Sequence, residues 1–135
     1  MRVMLDTNVL LSAILFPGQG IERCLRLLVE KHHILLSSLV VAEMEEVVHR
    51  KFPGKEGVLQ NFLEGFSFEM VFSSKHPEPG LFEIRDPADY PILYAALLED
   101  VDVFITGDKD FMDVALERPE ILSPRGFLEK YDMRR

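Results

Sequence analysis

Short apolar runs alternate with segments of helical periodicity along the chain, and this alternation restricts the fold more than any other feature. Residues 3–5 (Val-Met-Leu), 34–36 (Ile-Leu-Leu) and 103–105 (Val-Phe-Ile) are too short for stable helices and suit buried strands. Between them, apolar residues recur at helical spacing, as they do from residue 21 to residue 29. Strands that alternate with helices predict an α/β fold, here a three-layer α/β/α sandwich around a mostly parallel central sheet.

Turn residues and helix caps set the predicted limits of each element. Pro17-Gly18 and Pro53-Gly54 interrupt helical patterns, and either Ser37 or Ser38 can cap the helix that follows the second strand. The predicted strands cover residues 2–5, 34–36, 68–72, 103–105 and 121–122. The predicted helices cover residues 7–14, 21–31, 38–50, 58–66, 86–98, 109–116 and 125–131, and residues 73–82 form a loop.

Length and composition limit the class of protein. A chain of 135 residues with 47% hydrophobic residues predicts one domain, residues 1–135, with a substantial core. Its single cysteine, Cys24, excludes an internal disulfide and a Cys-rich zinc site. No apolar run approaches the ~20 residues that span a bilayer, and Asp6 interrupts any signal-peptide pattern. We therefore expect a cytoplasmic protein with no membrane contact.

Two acids stand directly after predicted strands. Asp6 follows the first strand, and Asp108 ends the tripeptide Thr-Gly-Asp that follows the strand at 103–105. Open parallel sheets bind ligands at the carboxyl ends of their strands, so both acids are predicted to lie at a functional edge. Glu43, on the helix after the second strand, lies within 40° of Leu39 and Val47 on a helical wheel. These apolar neighbours predict that the Glu43 carboxylate lies against packed surface. Desolvating a carboxylate there costs free energy unless a partner compensates its charge.

A fourth acid comes from the segment RDPADYPILYAAL, residues 85–97. Asp86 is predicted to be an N-cap with Pro87 at the first helical position. Asp89 then falls in the first turn, on the same helical face as the apolar Leu93 and Ala96. This position predicts that Asp89 leans toward packed surface at the mouth of its helix.

Each acid also has a purely structural explanation. Asp6, Asp86 and Asp108 could be helix N-caps worth about 1 kcal/mol each, and Glu43 could pair with Arg50. Four acids that reach one sheet edge from separate elements fit a metal site better than four independent caps. In that interpretation Thr7 caps the first helix, and the acid before it stays free for a cation.

The composition of this cluster indicates the metal and the chemistry. Converging carboxylates repel one another, and oxygen ligands from Asp and Glu suit Mg²⁺ or Mn²⁺ rather than Zn²⁺. Such ions lower the pKa of bound water and stabilise charge on a phosphate under attack. The net charge of -8 argues against a nucleic-acid partner, but two bound divalent cations would halve it. There is no Gly-x-x-x-x-Gly-Lys loop and no Ser-His-Asp signature.

The chain resembles a PIN domain, the metal-dependent ribonuclease fold of many prokaryotic toxin–antitoxin toxins. The matching stretches are MLDTNVLLSAI, SSLVVAEMEEVV and RDPADYPILYAALLEDVDVFITGDKDF. The resemblance implies cleavage of RNA phosphodiester bonds with one or two Mg²⁺ or Mn²⁺ ions. It also implies a homodimer and, for a toxin, an antitoxin that inserts an Arg among the acids.

Site residues follow from the resemblance position by position. Asp6, Glu43, Asp89 and Asp108 match the four acids that hold metal and carry catalysis in the family.

Supporting residues follow in the same way. Thr106 matches a hydroxyl residue that supports the site, and Asn8 matches a polar residue that orients the first acid. Asp86 and Asp110 are additional supporting candidates. The family often has a second acid after the third one, where this chain has Tyr90, which leaves the ligand count open.

Basic side chains that could carry RNA toward the acids are Lys109, Arg50 and Lys51.

Three alternatives stay open from the sequence. A PIN-like module could bind RNA or protein without cutting it. A receiver-type signalling domain needs an acidic pair after the first strand and an acceptor Asp after the third, and the chain has neither. A haloacid-dehalogenase-type phosphatase needs Asp-x-Asp after the first strand, and Asn8 replaces its second Asp.

Overall fold

Five short strands pair side by side in one parallel sheet. The structure is a computed structural model and describes residues 1–132, apart from the side chain of Gln19. Within those residues the elements are β1 (Arg2–Leu5), α1 (Thr7–Leu15), α2 (Gln19–Lys31), β2 (His33–Ser37), α3 (Ser38–Lys51), α4 (Glu56–Glu64), β3 (Glu69–Val71), α5 (Tyr90–Leu98), β4 (Val103–Ile105), α6 (Lys109–Met112), β5 (Glu120–Leu122) and α7 (Pro124–Tyr131).

The strand order β3-β2-β1-β4-β5 puts β1 at the centre of the sheet. β1 pairs with β2 on one side and with β4 on the other, so that Val3 lies opposite both Ile34 and Val103. The chain moves outward from β1 to β3, then crosses back over the sheet to β4. This reversal makes the gap between β1 and β4 the topological switch point, where open α/β sheets form ligand crevices.

Helices cover the sheet because its central strands are apolar on both faces. Right-handed crossovers put α1 to α4 on one face and α5 and α6 on the other. Contacts between α1, α3 and α4 fit this layering, and α7 packs against α2. Val3, Met4 and Leu5 of β1 are fully buried, as are Phe104 and Ile105 of β4. The predicted α/β/α fold with a parallel sheet is confirmed, and the described sheet is wholly parallel.

The single helix predicted for residues 86–98 is wrong. A 3-10 turn covers Pro87–Asp89, and α5 begins only at Tyr90. The reason is Pro91, because a proline donates no N–H and its ring clashes with the carbonyl four residues earlier. A regular α-helix from Pro87 would require that bond. Asp89 therefore lies at the junction between the 3-10 turn and α5, rather than inside a first α-helical turn.

The predicted helix 109–116 is also too long. α6 ends at Met112, and the chain turns at Asp113 before it reaches β5. Val114 is buried and Leu116 is half-buried, so their side chains contact the core although neither residue belongs to a helix. The apolar spacing of these two residues matches a helix, but both are apolar because they pack against the core.

None of the helices in residues 1–132 combines the length and the apolar character that a membrane span needs.

Candidate metal site

Asp6 lies at the carboxyl end of the central strand and directly precedes α1. Its Oδ1 accepts a hydrogen bond from the backbone N–H of Thr7 at 2.8 Å, and its Oδ2 accepts one from the Thr106 hydroxyl at 2.8 Å. Asp6 is therefore the N-cap, and the expectation that Thr7 caps the helix is wrong. The Thr7 hydroxyl is buried and has no hydrogen-bond partner among the described residues. A carboxylate accepts at about four lone-pair positions, so Asp6 keeps capacity for a cation.

Burial raises the pKa of Asp6 to about 6, because the side chain is only 5% exposed. The hydrogen bonds from Thr106 and Thr7 lower that pKa, whereas the charges of Glu43 and Asp108 raise it further. The net rise corresponds to roughly 3 kcal/mol of ionisation free energy. The ionised carboxylate is thus held in position but is not compensated by a positive charge.

Thr106 connects the ends of the two central strands. Its buried hydroxyl donates to Asp6 and accepts a hydrogen bond from the backbone N–H of Asp108 at 3.0 Å. Asp108 in turn caps α6, where its Oδ1 accepts from the N–H of Asp110 at 2.9 Å. One hydroxyl therefore fixes the position of the acid after β1 relative to the acid after β4.

Three carboxylates form a tight cluster beside Asp6. Oxygens of Asp89, Asp108 and Asp110 lie within 4.8 Å of one another, and all three side chains are partly buried. The pKa of Asp89 rises to about 7, first because of burial and then because of the charges of Asp86, Asp6, Asp108 and Glu43. Asp110 therefore belongs to this cluster together with two of the four acids predicted to ligate, although the sequence made it only a supporting candidate. The other two predicted ligands, Asp6 and Glu43, are not members of this group of three.

Glu43 differs from the sequence expectation in its burial. Its side chain is exposed, and Leu39 on the same helical face is 39% exposed, so Glu43 is not buried among apolar residues. It lies on the second turn of α3 and is close enough to raise the pKa of both Asp6 and Asp89. Glu43 also has no ion pair with Arg50 among the described residues.

Of two supporting candidates, Asn8 does not contact Asp6 in the expected way, whereas Asp86 is the predicted N-cap. Asn8 is exposed, and no hydrogen bond in residues 1–132 joins it to Asp6, whose orientation comes from Thr7 and Thr106 instead. Asp86 caps the 3-10 turn by accepting from the Ala88 N–H at 3.0 Å. Its exposed carboxylate acts on the cluster through charge.

The basic residues predicted to contact substrate lie in two places. Lys109 is exposed and stands between Asp108 and Asp110 in the chain. Arg50 and Lys51 lie on the last turn of α3, about 10 Å beyond Glu43 along the helix axis. Arg50 forms an ion pair with Glu46 at 2.7 Å, so the proposed pairing with Glu43 does not occur.

Arg85 is a residue near the acids that the sequence did not single out. Its Nε lies 3.3 Å from Asp110 Oδ1, and its side chain is 86% exposed. It stands directly before Asp86 in the acid-rich segment 85–97. A basic residue next to a predicted cap is the signal that could have found it.

The donor set fits Mg²⁺ or Mn²⁺. Asp6, Asp89, Asp108 and Asp110 offer hard carboxylate oxygens. Burial first, and then the charges of neighbouring acids, raise the pKa of Asp6 and of Asp89. A divalent cation would offset the part of this rise that comes from the neighbouring acids. No histidine or cysteine belongs to the acid cluster in the described residues, which disfavours zinc.

A family model described as "PIN domain" matches residues 2–110. The chain belongs to the PIN-domain family. The match covers every predicted site residue from Asp6 to Asp110, so the resemblance proposed from the sequence is confirmed. No curated protein matches this PIN-domain sequence significantly.

Solved structures share the fold of this PIN domain. A chain of VapBC2 from Rickettsia felis, solved with a DNA fragment from their promoter, has a TM-score of 0.70 and 23% identity; the match covers 91% of this chain and 98% of that one. A chain of FitAB bound to IR36 DNA gives 0.66 and 20%, with 90% and 94% covered. A chain of FitAcB from Neisseria gonorrhoeae gives 0.62 and 20%, with 91% and 98% covered. At 20–23% identity these likenesses show a shared fold.

Proposed function

We propose that this PIN-domain protein is a metal-dependent endoribonuclease that hydrolyses RNA phosphodiester bonds. The observation that carries the proposal is the convergence of Asp89, Asp108 and Asp110 within 4.8 Å, beside the buried Asp6 at the switch point of the sheet. Such a concentration of carboxylates costs free energy in the free protein, and the charges of the neighbouring acids add to burial in raising the pKa of Asp89. A bound divalent cation would offset the repulsion between these carboxylates, which explains why the fold brings them together.

The residues divide into ligands and residues that orient them. We assign metal ligation to Asp6, Asp89 and Asp108, with Glu43 completing the set from α3 and with Asp110 as an additional candidate. These acids would hold Mg²⁺ or Mn²⁺, which when bound would supply stabilisation of charge on the scissile phosphate and a lower pKa for a bound water.

Thr106 and the Thr7 N–H hold Asp6 in one orientation, so little reorganisation is needed when a cation binds. Lys109, exposed between Asp108 and Asp110 in the chain, is a basic residue that could contact RNA next to the acids. Arg50 and Lys51 could contact RNA only where it extends along α3.

A cleavage assay on mixed RNAs, with and without Mn²⁺, tests the proposal. Wild type should cut only with the metal, and Asp6→Asn should reduce the rate at least about a hundredfold, because changes to residues around metal ligands already cost about 10- to 100-fold. Glu45→Gln is the matched control, since Glu45 is exposed on α3 one position beyond Met44 and points away from the cluster. Absence of metal-dependent cutting by wild type would instead identify a PIN module that binds without cleaving.

The likeness to VapBC2 and FitAB chains supports a toxin of a toxin–antitoxin pair as the biological role. We further propose an antitoxin protein as partner and a homodimer as the assembly.

Growth arrest on expression, relieved by co-expression of a neighbouring small gene, tests the proposal of an antitoxin partner. Light scattering of the purified chain tests the second, and a monomeric mass at high concentration would contradict it.

A further inference from the structure

A cavity of about 630 Å³ lies beside the turn that carries Asp89. One wall is the loop from Pro77 to Ile84, and the other is formed by Pro87, Tyr90 and Pro91 at the start of α5. Pro87 and Tyr90 flank Ala88 and Asp89 in the chain. The turn that carries Asp89 of the acid cluster therefore also forms part of the cavity wall. Its volume falls in the range of about 300–1,000 Å³ that is typical of small-molecule pockets.

Tyr90 fixes the shape of this cavity. Its hydroxyl donates to the carbonyl of Glu78 at 2.6 Å and accepts from the N–H of Leu81 at 3.2 Å. Its ring stacks on Phe82 with centroids 4.2 Å apart and an interplanar angle of 15°. The residue that replaces a common second acid of the family therefore anchors the loop that forms one wall of the cavity.

Two charged residues lie at or next to this cavity, the acid Glu83 and the base Arg85. The lining is mostly proline and aromatic, and Glu83 is its one charged residue in the described part of the chain. Arg85 follows the lining residue Ile84 directly and reaches Asp110 of the acid cluster. An ion pair this exposed contributes little stability, so a phosphate can displace Asp110 from Arg85 at small cost.

We propose that this cavity binds a nucleobase of the RNA substrate next to the scissile phosphate, with Arg85 contacting the phosphate between the cavity and the acid cluster. The inference rests on the proposed nuclease function and names a base subsite for it. A planar base suits an apolar lining, and the Glu83 carboxylate can accept a hydrogen bond from an exocyclic amine. We therefore expect cytosine, adenine and guanine to bind better than uracil. A peptide bound in the cavity would not require a cation at the position of Arg85, whereas a nucleotide phosphate would.

Nucleoside monophosphates test the subsite without cleavage, because they contain no phosphodiester bond between nucleotides. The wild-type chain, labelled with ¹⁵N, is titrated with CMP, UMP and the base-free ribose 5-phosphate. CMP should shift the amide signals of Gly80, Phe82 and Ile84, UMP should shift them less at equal concentration, and ribose 5-phosphate should leave them in place. Equal shifts with all three ligands would overturn the proposal.

Two substitutions on matched exposed prolines provide the control. Pro79→Glu adds a carboxylate to the lining and should weaken CMP binding about tenfold, whereas Pro17→Glu, between α1 and α2, should leave it unchanged. Wild type should bind CMP more tightly than cytidine, which lacks the phosphate, and Arg85→Gln should abolish this difference in affinity. If nucleotides cause no shifts and the same signals move with protein concentration alone, the cavity is an interface between copies and the proposal is wrong. Because these measurements do not involve cutting, they can fail while the cleavage assay succeeds.

Discussion

Asp6 combines two roles that usually fall to different residues, since it caps α1 and also faces the other acids at the centre of the sheet. The cap uses one lone pair of Oδ1, and the Thr106 hydroxyl uses one of Oδ2. This arrangement explains why the sequence supported both a structural and a functional interpretation of Asp6. The two interpretations are compatible because a carboxylate has more acceptor positions than the fold occupies.

Replacing Thr106 tests the hydrogen bonds that position Asp6. Thr106→Val keeps the shape but leaves a buried carboxylate oxygen and the Asp108 N–H without this partner. We expect a loss of about 1–3 kcal/mol in the free energy of unfolding and a higher pKa for Asp6. Urea unfolding of the metal-free protein measures the first effect, and carboxyl-carbon NMR measures the second. Thr106→Ser keeps the hydroxyl and is the control; equal behaviour of the two variants would contradict this role.

The segment between β3 and β4 illustrates how one residue type changes an element. Pro91 divides the predicted helix into a 3-10 turn and α5, and this division puts Asp89 at the junction. Asp86 and Pro87 gave the start correctly, because caps are local signals. The apolar periodicity of residues 92–98 continues through Pro91 and does not indicate the break, which comes from the missing N–H and the ring of Pro91. The anchoring of the preceding loop by Tyr90 depends on contacts over 9 and 12 residues, which no local pattern contains.

Tyr90→Phe tests that anchor at the level of the element. The change retains the ring stack on Phe82 but removes both hydrogen bonds of the hydroxyl, so the loop should open more readily. Amide hydrogen exchange should become faster over residues 78–84, with a loss of about 1 kcal/mol in overall stability. Tyr94→Phe, on the same helix and the same aromatic stack, is the matched control. Unchanged exchange in Tyr90→Phe would show that the stack alone holds the loop.

At the scale of the whole molecule, the order β3-β2-β1-β4-β5 decides which acids meet. It puts the residues after β1 and β4 side by side, although they are about 100 residues apart in sequence. The same convergence concentrates negative charge in a protein that already carries a net charge of -8. The stability of the metal-free protein should therefore depend on pH.

We expect the metal-free protein to lose stability as pH rises from about 4 to about 7. Asp6 has a pKa near 6 in the folded state against 3.8 when unfolded, so the folded state binds more protons in that window. Stability is then greatest below the unfolded pKa and is lost as pH rises through the folded pKa, by roughly 3 kcal/mol for Asp6. Asp89, with a pKa near 7, extends the window upward. Unfolding in urea at several pH values measures this slope, and Asp6→Asn should flatten it.

Added Mn²⁺ should reverse the loss at neutral pH. A cation that binds only the folded state raises stability by mass action, and it must displace the proton that Asp89 holds near pH 7. The rise in melting temperature with Mn²⁺ should therefore be small at pH 5 and large at pH 8. Asp108→Asn should reduce this rise, whereas Glu45→Gln should not. A rise that is independent of pH, or equal in both variants, would argue against cation binding at the acid cluster.

The sequence by itself determined the α/β class, the positions of all five strands to within about two residues, and the acids at the ends of β1 and β4. These features follow from periodicity, caps and strand ends, which are local and therefore readable along the chain. Only the tertiary structure decided that Asp110 joins Asp89 and Asp108, that Glu43 is exposed, and that Arg85 reaches the cluster. Those facts depend on distances between elements that are remote in sequence. Such distances are set by how the layers pack, and no residue pattern encodes them locally.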